Sequence, residues 1–174
     1  IQLYQFGYTG EFYFFAMPLV TGESAADLLR RSPDGLPCET ALGIVRQTVD
    51  ALEYAWGHHL VHRDIKPDNL MVTVGGKVLL TDFGLVKDHL NHTPVPLGSG
   101  CVGTPAYMAP ELLLGADPNP QSDMYSLGLT LYVLLCGQHP YRPATSAEFA
   151  KMHLMGTVQP TPKLAELCGG EVWK

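Results

Sequence analysis

The sequence predicts an α+β domain in which short antiparallel hairpins accompany several helices. Two observations indicate this class. Segments rich in aliphatic and aromatic residues flank turn sequences, and apolar residues elsewhere recur at steps of three and four. The 174 residues are enough for one domain with a sizeable core, and the hydrophobic content of 46% is typical of a globular chain.

The first elements expected are a β-hairpin and two helices. IQLYQF and EFYFFAMPLV are separated by the turn sequence GYTG, and ESAADLLRR follows as a short helix. The next helix is amphipathic and should end at Gly57. Its apolar residues are spaced to share one face, which we expect to be buried. They are Leu42, Val45, Val49, Leu52 and Trp56.

A second hairpin is predicted at LMVTVGGKVLL, where Gly75 and Gly76 separate two β-branched segments. A two-residue turn would set the strand register so that Asn69 lies opposite Asp82. An amide oxygen and a carboxylate side by side are ligands that hard divalent cations accept. The register alone leaves open a pair of polar residues at strand ends.

Later segments are more irregular. Residues 85–122 have little periodicity and many Pro, Gly, Ser and Thr, as functional segments often do. MYSLGLTLYVLLC predicts a buried helix that is too short to span a bilayer, and SAEFAKMHLM predicts another helix. We therefore expect no membrane segment within this chain.

Charge and cysteine usage argue against two kinds of site. The net charge of −6 disfavours a nucleic-acid-binding face, which needs clustered Lys and Arg. The cysteines form no CxxC pair, so reduced thiols in a cytoplasmic protein are favoured over a disulfide framework or a zinc site. They are Cys38, Cys101, Cys136 and Cys168.

Three motifs carry the functional signal. HRDIKPDN (residues 62–69) holds four charged side chains between two apolar segments, DFG follows at 82–84, and APE at 109–111. In this order they resemble the catalytic loop, the metal-binding loop and the end of the activation segment of eukaryotic-type protein kinases. GTPAYMAPE and DMYSLG are similar to two further blocks of that family. The resemblance extends from about residue 1 to residue 153.

The resemblance implies a protein-kinase-like fold that is only partly contained in residues 1–174. Residues 1–20 would be remnant strands of the amino-terminal lobe and the start of the hinge, and residues 21–174 a truncated carboxy-terminal lobe. We find no glycine-rich phosphate loop, no nucleotide-pairing strand lysine and no partner glutamate helix. The arginine that usually pairs with Glu111 should lie beyond Lys174. We therefore expect residues 1–174 to be inactive alone.

The resemblance also implies roles in phosphoryl transfer. Asp64 would accept the proton of the substrate hydroxyl, and Lys66 would stabilise charge developing on the γ-phosphate of ATP. Asn69 and Asp82 would hold Mg²⁺, the same pair that the hairpin register brings together. Taken singly, Asp64 could be a turn-capping carboxylate and Lys66 a solvated charge, but the full set of motifs favours catalysis.

Adenine is expected at the end of the first hairpin, again from the resemblance. Met17 falls at the gatekeeper position, and Met71 would form the floor of the pocket. The Pro18 carbonyl and the Val20 amide would hydrogen-bond to the base. Pro18 stands where an acidic residue is usual, which is tolerable because its carbonyl makes the contact.

Other residues of the motifs would support the site. His62 and Phe83 should stack beneath it, as the family resemblance implies. Tyr125 stands where the family usually has Trp, a swap that leaves Asp123 to brace the catalytic loop.

Substrate choice and regulation are implied by neighbouring residues. Lys66 two residues after Asp64, together with Thr104 before APE, resembles serine/threonine rather than tyrosine kinases, so the expected partners are proteins with Ser or Thr acceptors. Arg63 resembles the arginine of kinases controlled by activation-loop phosphorylation. A phosphate on Ser99 or Thr93 could pair with it, although both residues could equally be plain loop hydroxyls.

Two other functions remain open. One is a catalytically inactive pseudokinase that acts as a scaffold, which the presence of every catalytic-loop residue disfavours. The other is a small-molecule phosphotransferase of related fold. GTPAYMAPE disfavours it, because that block resembles the ledge that holds a protein substrate.

Overall fold

The structure, a computed structural model, describes residues 4–83, 105–142, 145–156, 158 and 161–167. Within these ranges two small antiparallel sheets accompany helices, as the predicted fold class requires. The strands are β1 (Gln5–Tyr8), β2 (Tyr13–Ala16), β3 (Gly22–Ser24), β4 (Leu70–Thr73) and β5 (Val78–Leu80). The α-helices are α1 (Ala25–Arg31), α2 (Cys38–Gly57), α3 (Pro110–Leu113), α4 (Pro120–Cys136), α5 (Ser146–Met155) and α6 (Pro162–Leu167).

The first hairpin pairs β1 with β2, with Gln5 opposite Ala16 and Tyr8 opposite Tyr13. Within the described ranges, no third strand joins this sheet. Its aromatic side chains are consequently exposed, with Phe12 71% and Phe14 40% accessible. The predicted hairpin is confirmed, and the sheet leaves apolar surface in contact with solvent.

Helix α1 begins with a capping box. The Ser24 hydroxyl accepts from the Asp27 backbone N–H at 3.1 Å, and the Asp27 carboxylate accepts from the Ser24 N–H at 3.0 Å. Both orphan donors are thereby satisfied, and the carboxylate lies at the positive end of the helix dipole. The helix predicted from ESAADLLRR is confirmed.

Helix α2 ends at Gly57 as predicted, and its buried face is displaced by one residue from the predicted face, with Leu52 common to both. Leu42 is 39% exposed, whereas the small residues Ala41 and Ala55 are buried. Val45, Val49 and Trp56 of the predicted face are partly buried and pack against the core. The buried residues are Ala41, Ile44, Thr48, Leu52 and Ala55.

The second hairpin has a different register from the predicted one. Leu70 lies opposite Leu80, and the Thr73 N–H donates to the Lys77 carbonyl at 2.9 Å, which leaves a three-residue loop. In this loop Gly76 has a φ of 76° and bonds back to Thr73, as in a type I turn with a bulge.

The side chain of Gln47 in α2 explains this choice of turn. It donates to the Gly76 carbonyl at 3.1 Å and accepts from the Val78 N–H at 2.9 Å. As a result Asn69 lies opposite Thr81, whose N–H donates to the Asn69 carbonyl at 3.0 Å. The predicted cross-strand pairing of Asn69 with Asp82 is therefore wrong, and Asp82 lies one residue further on.

Helix α4 forms the centre of the core and is apolar on nearly all sides, as predicted for a buried helix. It begins at Pro120, four residues before the predicted apolar segment, with a capping box between Asn119 and Ser122, and it ends at Cys136, with Gly137 as the C-cap. Helix α5 has the bounds that SAEFAKMHLM predicts. None of the helices in the described ranges combines the length and apolar composition needed to cross a bilayer.

Gly137 allows a test of how α4 is terminated. Gly137 has a φ of 70°, and a Cβ there would overlap the Pro33 carbonyl oxygen. Gly76 has a similar φ of 76°, but the space around it is open, so it serves as the control. We expect Gly76→Ala to lower the free energy of unfolding by about 1–2 kcal/mol for the left-handed backbone alone. Gly137→Ala should cost about 1–3 kcal/mol more, because the backbone must also move.

Urea unfolding of both variants and the parent protein measures this difference. Equal losses in the two variants would show that the close approach of Pro33 does not constrain the end of α4.

Candidate active site

The loop of residues 62–69 is anchored from below by His62. The His62 ring is fully buried and its centroid lies 4.5 Å from that of Phe83, with the ring planes tilted by 58°, so the two rings are in contact but not stacked in parallel as expected. Its Nε2 contacts the Thr81 carbonyl at 2.8 Å, and its Nδ1 accepts from the Asp64 N–H at 3.3 Å. Burial lowers the pKa of His62, although the Thr81 carbonyl and nearby carboxylates favour the charged ring. A neutral ring that donates through Nε2 satisfies both contacts.

Asp123 braces the same loop from the first turn of α4. One carboxylate oxygen accepts from the His62 N–H at 2.9 Å and from the Trp56 indole at 3.0 Å. The other oxygen accepts from the Arg63 N–H at 2.8 Å, and Asp123 is fully buried. The predicted bracing is confirmed, and Trp56 adds a partner that sequence reasoning had assigned only to the core.

Asp64 lies at the centre of a small polar cluster. The Lys66 ammonium is 2.9 Å from its carboxylate, and the Asn69 amide nitrogen donates to the same oxygen at 3.1 Å. The Asn69 amide also donates to the Asp64 carbonyl at 2.7 Å. Side-chain exposure of Asp64 and Lys66 is only 15% and 19%, so solvent screens their attraction less than at an open surface. The structure thus brings together three of the predicted site residues.

Pro67 determines the spacing within this cluster. It begins a 3₁₀ turn (Pro67–Asn69), and the Asn69 N–H donates to the Lys66 carbonyl at 3.0 Å. Pro67 supplies the φ that the turn needs, since its ring restricts that angle. Ile65, which is fully buried, points away from the cluster into the core. Alternating burial therefore leaves Asp64 and Lys66 on the open side.

Asp82 is exposed and follows Thr81 directly. Its φ is 57° and that of Arg63 is 72°, both in the left-handed region that few non-glycine residues adopt. Such backbone strain concentrates at functional sites. Asp82 and Asp64 both act electrostatically on His62, so the two carboxylates lie near the same ring.

The described residues supply few ligands for a metal ion. Among them, no group of three or more His, Cys, Asp or Glu side chains is arranged to hold one. Asn69 donates through its amide nitrogen to Asp64, which leaves its amide oxygen as the atom that a cation could use. An amide oxygen and a carboxylate are ligand types that a hard cation accepts, together with phosphate oxygens and water.

The predicted adenine-binding residues lie where the first hairpin leads into β3. Pro18 and Val20 lie in the segment that precedes β3, and Met71 of β4 pairs with Ser24 of β3. Within the described ranges, the Pro18 carbonyl and the Val20 amide take part in no backbone hydrogen bond. Both groups are therefore suited to bond a ligand.

Several predicted residues lie outside the described ranges. They include Gly84 of the DFG motif and the regulatory candidates Thr93, Ser99 and Thr104. Arg63 is described, and its backbone N–H is held by Asp123. Of the cysteines, Cys38 and Cys136 are described and are free thiols.

Sequence reasoning missed a cluster of aromatic rings beside the second 3₁₀ turn (Pro105–Tyr107). His139 and His153 contribute imidazoles to it, and His153 is 5% exposed. A histidine on the otherwise apolar side of α5 was a sequence signal that could have indicated a buried imidazole. The other rings are Tyr107, Tyr125, Tyr141 and Phe149.

Comparison with known proteins identifies relatives of this chain. The chain is 37% identical over 153 residues to serine/threonine-protein kinase PknA of Mycobacterium tuberculosis, covering 88% of this chain and 35% of that relative. It is 31% identical over 154 residues to serine/threonine-protein kinase PrkC of Bacillus subtilis, covering 88% and 24%. The chain thus spans about a quarter to a third of the length of these curated relatives. The model of the protein kinase domain matches residues 1–167, and the chain belongs to the protein kinase domain family.

Proposed function

We propose that the protein transfers the γ-phosphate of ATP to Ser and Thr hydroxyls of protein substrates. The observation that carries this proposal is the Asp64 carboxylate, which Lys66 and Asn69 contact at 2.9 and 3.1 Å on a loop that Asp123 holds in position. Phosphoryl transfer depends mainly on positioning and charge stabilisation, and a rigid polar cluster supplies both. No observation favours the inactive scaffold.

Each residue of the cluster has a distinct role in this proposal. Asp64 orients the acceptor hydroxyl and takes up its proton as the bond to phosphorus forms. Lys66 turns its ammonium group from Asp64 towards the transferred phosphoryl group and stabilises the charge there. Asn69 keeps Asp64 oriented through its two amide contacts.

Mg²⁺ is the cation that the proposal assigns to Asn69 and Asp82. When bound, it would neutralise charge on the nucleotide phosphates. The amide oxygen of Asn69 and the exposed carboxylate of Asp82 are the oxygen ligands that such an ion accepts. The Pro18 carbonyl and Val20 amide would bond adenine, with Met71 beneath it.

The remaining assignments concern the lobes, the regulation and the location of the protein. Residues 1–20 would belong to the amino-terminal lobe and hinge, and the helices to the carboxy-terminal lobe. A phosphate on Ser99 or Thr93 would pair with Arg63, and Thr104 would help select Ser and Thr acceptors. The free thiols of Cys38 and Cys136 suit a cytoplasmic location.

Phosphate transfer from Mg·ATP to matched Ser, Thr and Tyr peptides tests this function. The affinity for Mg·ATP of the variants Asp82→Ala and Asn69→Ala tests the metal pair. The assays should use the protein that contains this chain. We expect transfer to Ser and Thr only. Asp82→Ala should weaken Mg·ATP binding at least about tenfold and more than Asn69→Ala, because a carboxylate binds a hard cation better than an amide.

Asp68→Ala is the matched control for the affinity measurement, since it removes an exposed carboxylate from the same loop. Transfer to Tyr alone would contradict the assigned acceptor class. Affinity equal to the parent protein in both Asp82→Ala and Asn69→Ala would remove the metal assignment.

A further inference from the structure

His139 ties the Pro105–Tyr107 turn to the loop that follows α4. Its Nε2 contacts the Ala106 carbonyl at 2.7 Å, and its Nδ1 accepts from the Tyr141 N–H at 3.1 Å. Because the Tyr141 N–H occupies Nδ1, the proton of the neutral ring belongs on Nε2, from which it donates to Ala106. The neutral imidazole therefore bridges two backbone segments, and the same turn also receives a bond from Ser126 to the Tyr107 carbonyl at 2.7 Å.

His153 of α5 lies behind His139, with ring centroids 6.2 Å apart. Its Nδ1 is 2.7 Å from the Tyr125 hydroxyl, and its Nε2 is buried without a hydrogen-bond partner among the described residues. Burial and the neighbouring His139 lower the pKa of His153, against the Ala106 and Pro105 carbonyls, which raise it. Burial likewise lowers the pKa of His139, against the Tyr141 and Ala106 carbonyls, which raise it.

The surroundings contain no strong counter-charge for this histidine pair (His139 and His153). Among the described residues, no carboxylate contributes to the pKa shift of either ring. Burial raises the pKa of Tyr107 to about 12 and also raises that of Tyr125, so these hydroxyls stay neutral. The titratable groups on the packed elements are Tyr107 of the turn, Glu111 of α3, Tyr125 of α4, Tyr141 and Arg142 of the loop, and Glu148 and Lys151 of α5, where the last two are exposed.

We propose that His139 and His153 are positioning residues that hold the Pro105–Tyr107 turn in its substrate-binding conformation only while both imidazoles are neutral. The inference rests on the proposed function, since it assigns the turn to the surface that receives the protein substrate. Binding of the protein substrate would then weaken in mild acid, separately from any effect of pH on phosphate transfer.

Protonation would disrupt the contacts in a defined way. A proton on Nδ1 of His139 faces the Tyr141 N–H, which loses its acceptor, while Nδ1 donates instead to the Tyr141 carbonyl, also 3.1 Å away. Protonated His153 carries a donor on both ring nitrogens, so the Tyr125 hydroxyl can only accept from its Nδ1. Two positive rings 6.2 Å apart in a buried cluster also repel each other. All three changes loosen the support of the turn.

Kinetics between pH 7.5 and 5.5 test the proposal in the protein that contains this chain. We expect KM for a Ser/Thr peptide to rise roughly fivefold or more in acid, while KM for ATP changes less than about twofold. His139→Gln keeps an N–H donor for Ala106 and cannot titrate, so most of the acid rise should disappear. His139→Ala should raise peptide KM already at pH 7.5, and His58→Gln, at an exposed histidine, is the control.

An NMR titration of the backbone amides of Ala106, Tyr107 and Tyr141 tests the same device without requiring activity. We expect their shifts to move together at a pH below about 6.5, and the movement to be lost in His139→Gln. A peptide KM that does not change with pH, or an acid rise fully retained in His139→Gln, would overturn the proposal. If no phosphate is transferred at any pH, the proposed function fails. Amide chemical shifts of Ala106, Tyr107 and Tyr141 that do not change with pH would separately overturn the proposed role of the histidine pair.

Discussion

Asp64→Asn should lower the rate of phosphate transfer at least about 100-fold, because it removes the group that accepts the proton of the acceptor hydroxyl. Binding of Mg·ATP should stay within about twofold of the parent protein, since Asp64 is assigned to the hydroxyl and not to the nucleotide. The substitution keeps the size of the side chain, and an amide oxygen can still accept from Asn69. Folding should therefore be little affected.

Peptide phosphorylation and ATP affinity must be measured together on the protein that contains this chain. Asp50→Asn, which makes the same chemical change at an exposed position of α2, is the matched control and should retain full turnover. If Asp64→Asn keeps more than a few per cent of the turnover, then Asp64 does not have the assigned role.

Asp123→Ala should destabilise the fold by about 3 kcal/mol, because one buried and two part-buried donors lose their acceptor at about 1 kcal/mol or more each. Those donors are the Trp56 indole and the backbone N–H groups of His62 and Arg63. Activity should fall as well, since the loop that carries Asp64 would no longer be held against α4.

Urea unfolding of the protein gives the loss of stability, and two further variants sharpen the comparison. Asp123→Asn keeps one acceptor oxygen and should be intermediate, whereas Asp117→Ala removes an exposed carboxylate just before α4 and should change the free energy of unfolding by less than about 0.5 kcal/mol. If Asp123→Ala and Asp117→Ala have the same free energy of unfolding, the three donors must find water or other partners when Asp123 is removed.

Most of the local structure was predictable from the sequence. Helices α1 and α5, the end of α2 at Gly57, the apolar α4 and both hairpins follow from capping residues, periodicity and turn chemistry, which are short-range effects. The membership of the protein kinase domain family was also predictable, because three motifs in order are specific. The grouping of Asp64, Lys66 and Asn69 follows for the same reason, since all three lie in one rigid loop.

Contacts between distant segments determined the rest. Gly75-Gly76 permits either a two-residue or a three-residue turn, and the side chain of Gln47, 29 residues from Gly76, stabilises the longer loop and so shifts Asn69 opposite Thr81. The buried face of α2 is displaced by one residue from the predicted face, so that Ala41 is buried and Leu42 is exposed. The histidine pair is formed by residues from a loop and a helix. Sequence patterns report what each segment can adopt, whereas packing between segments selects one of the alternatives.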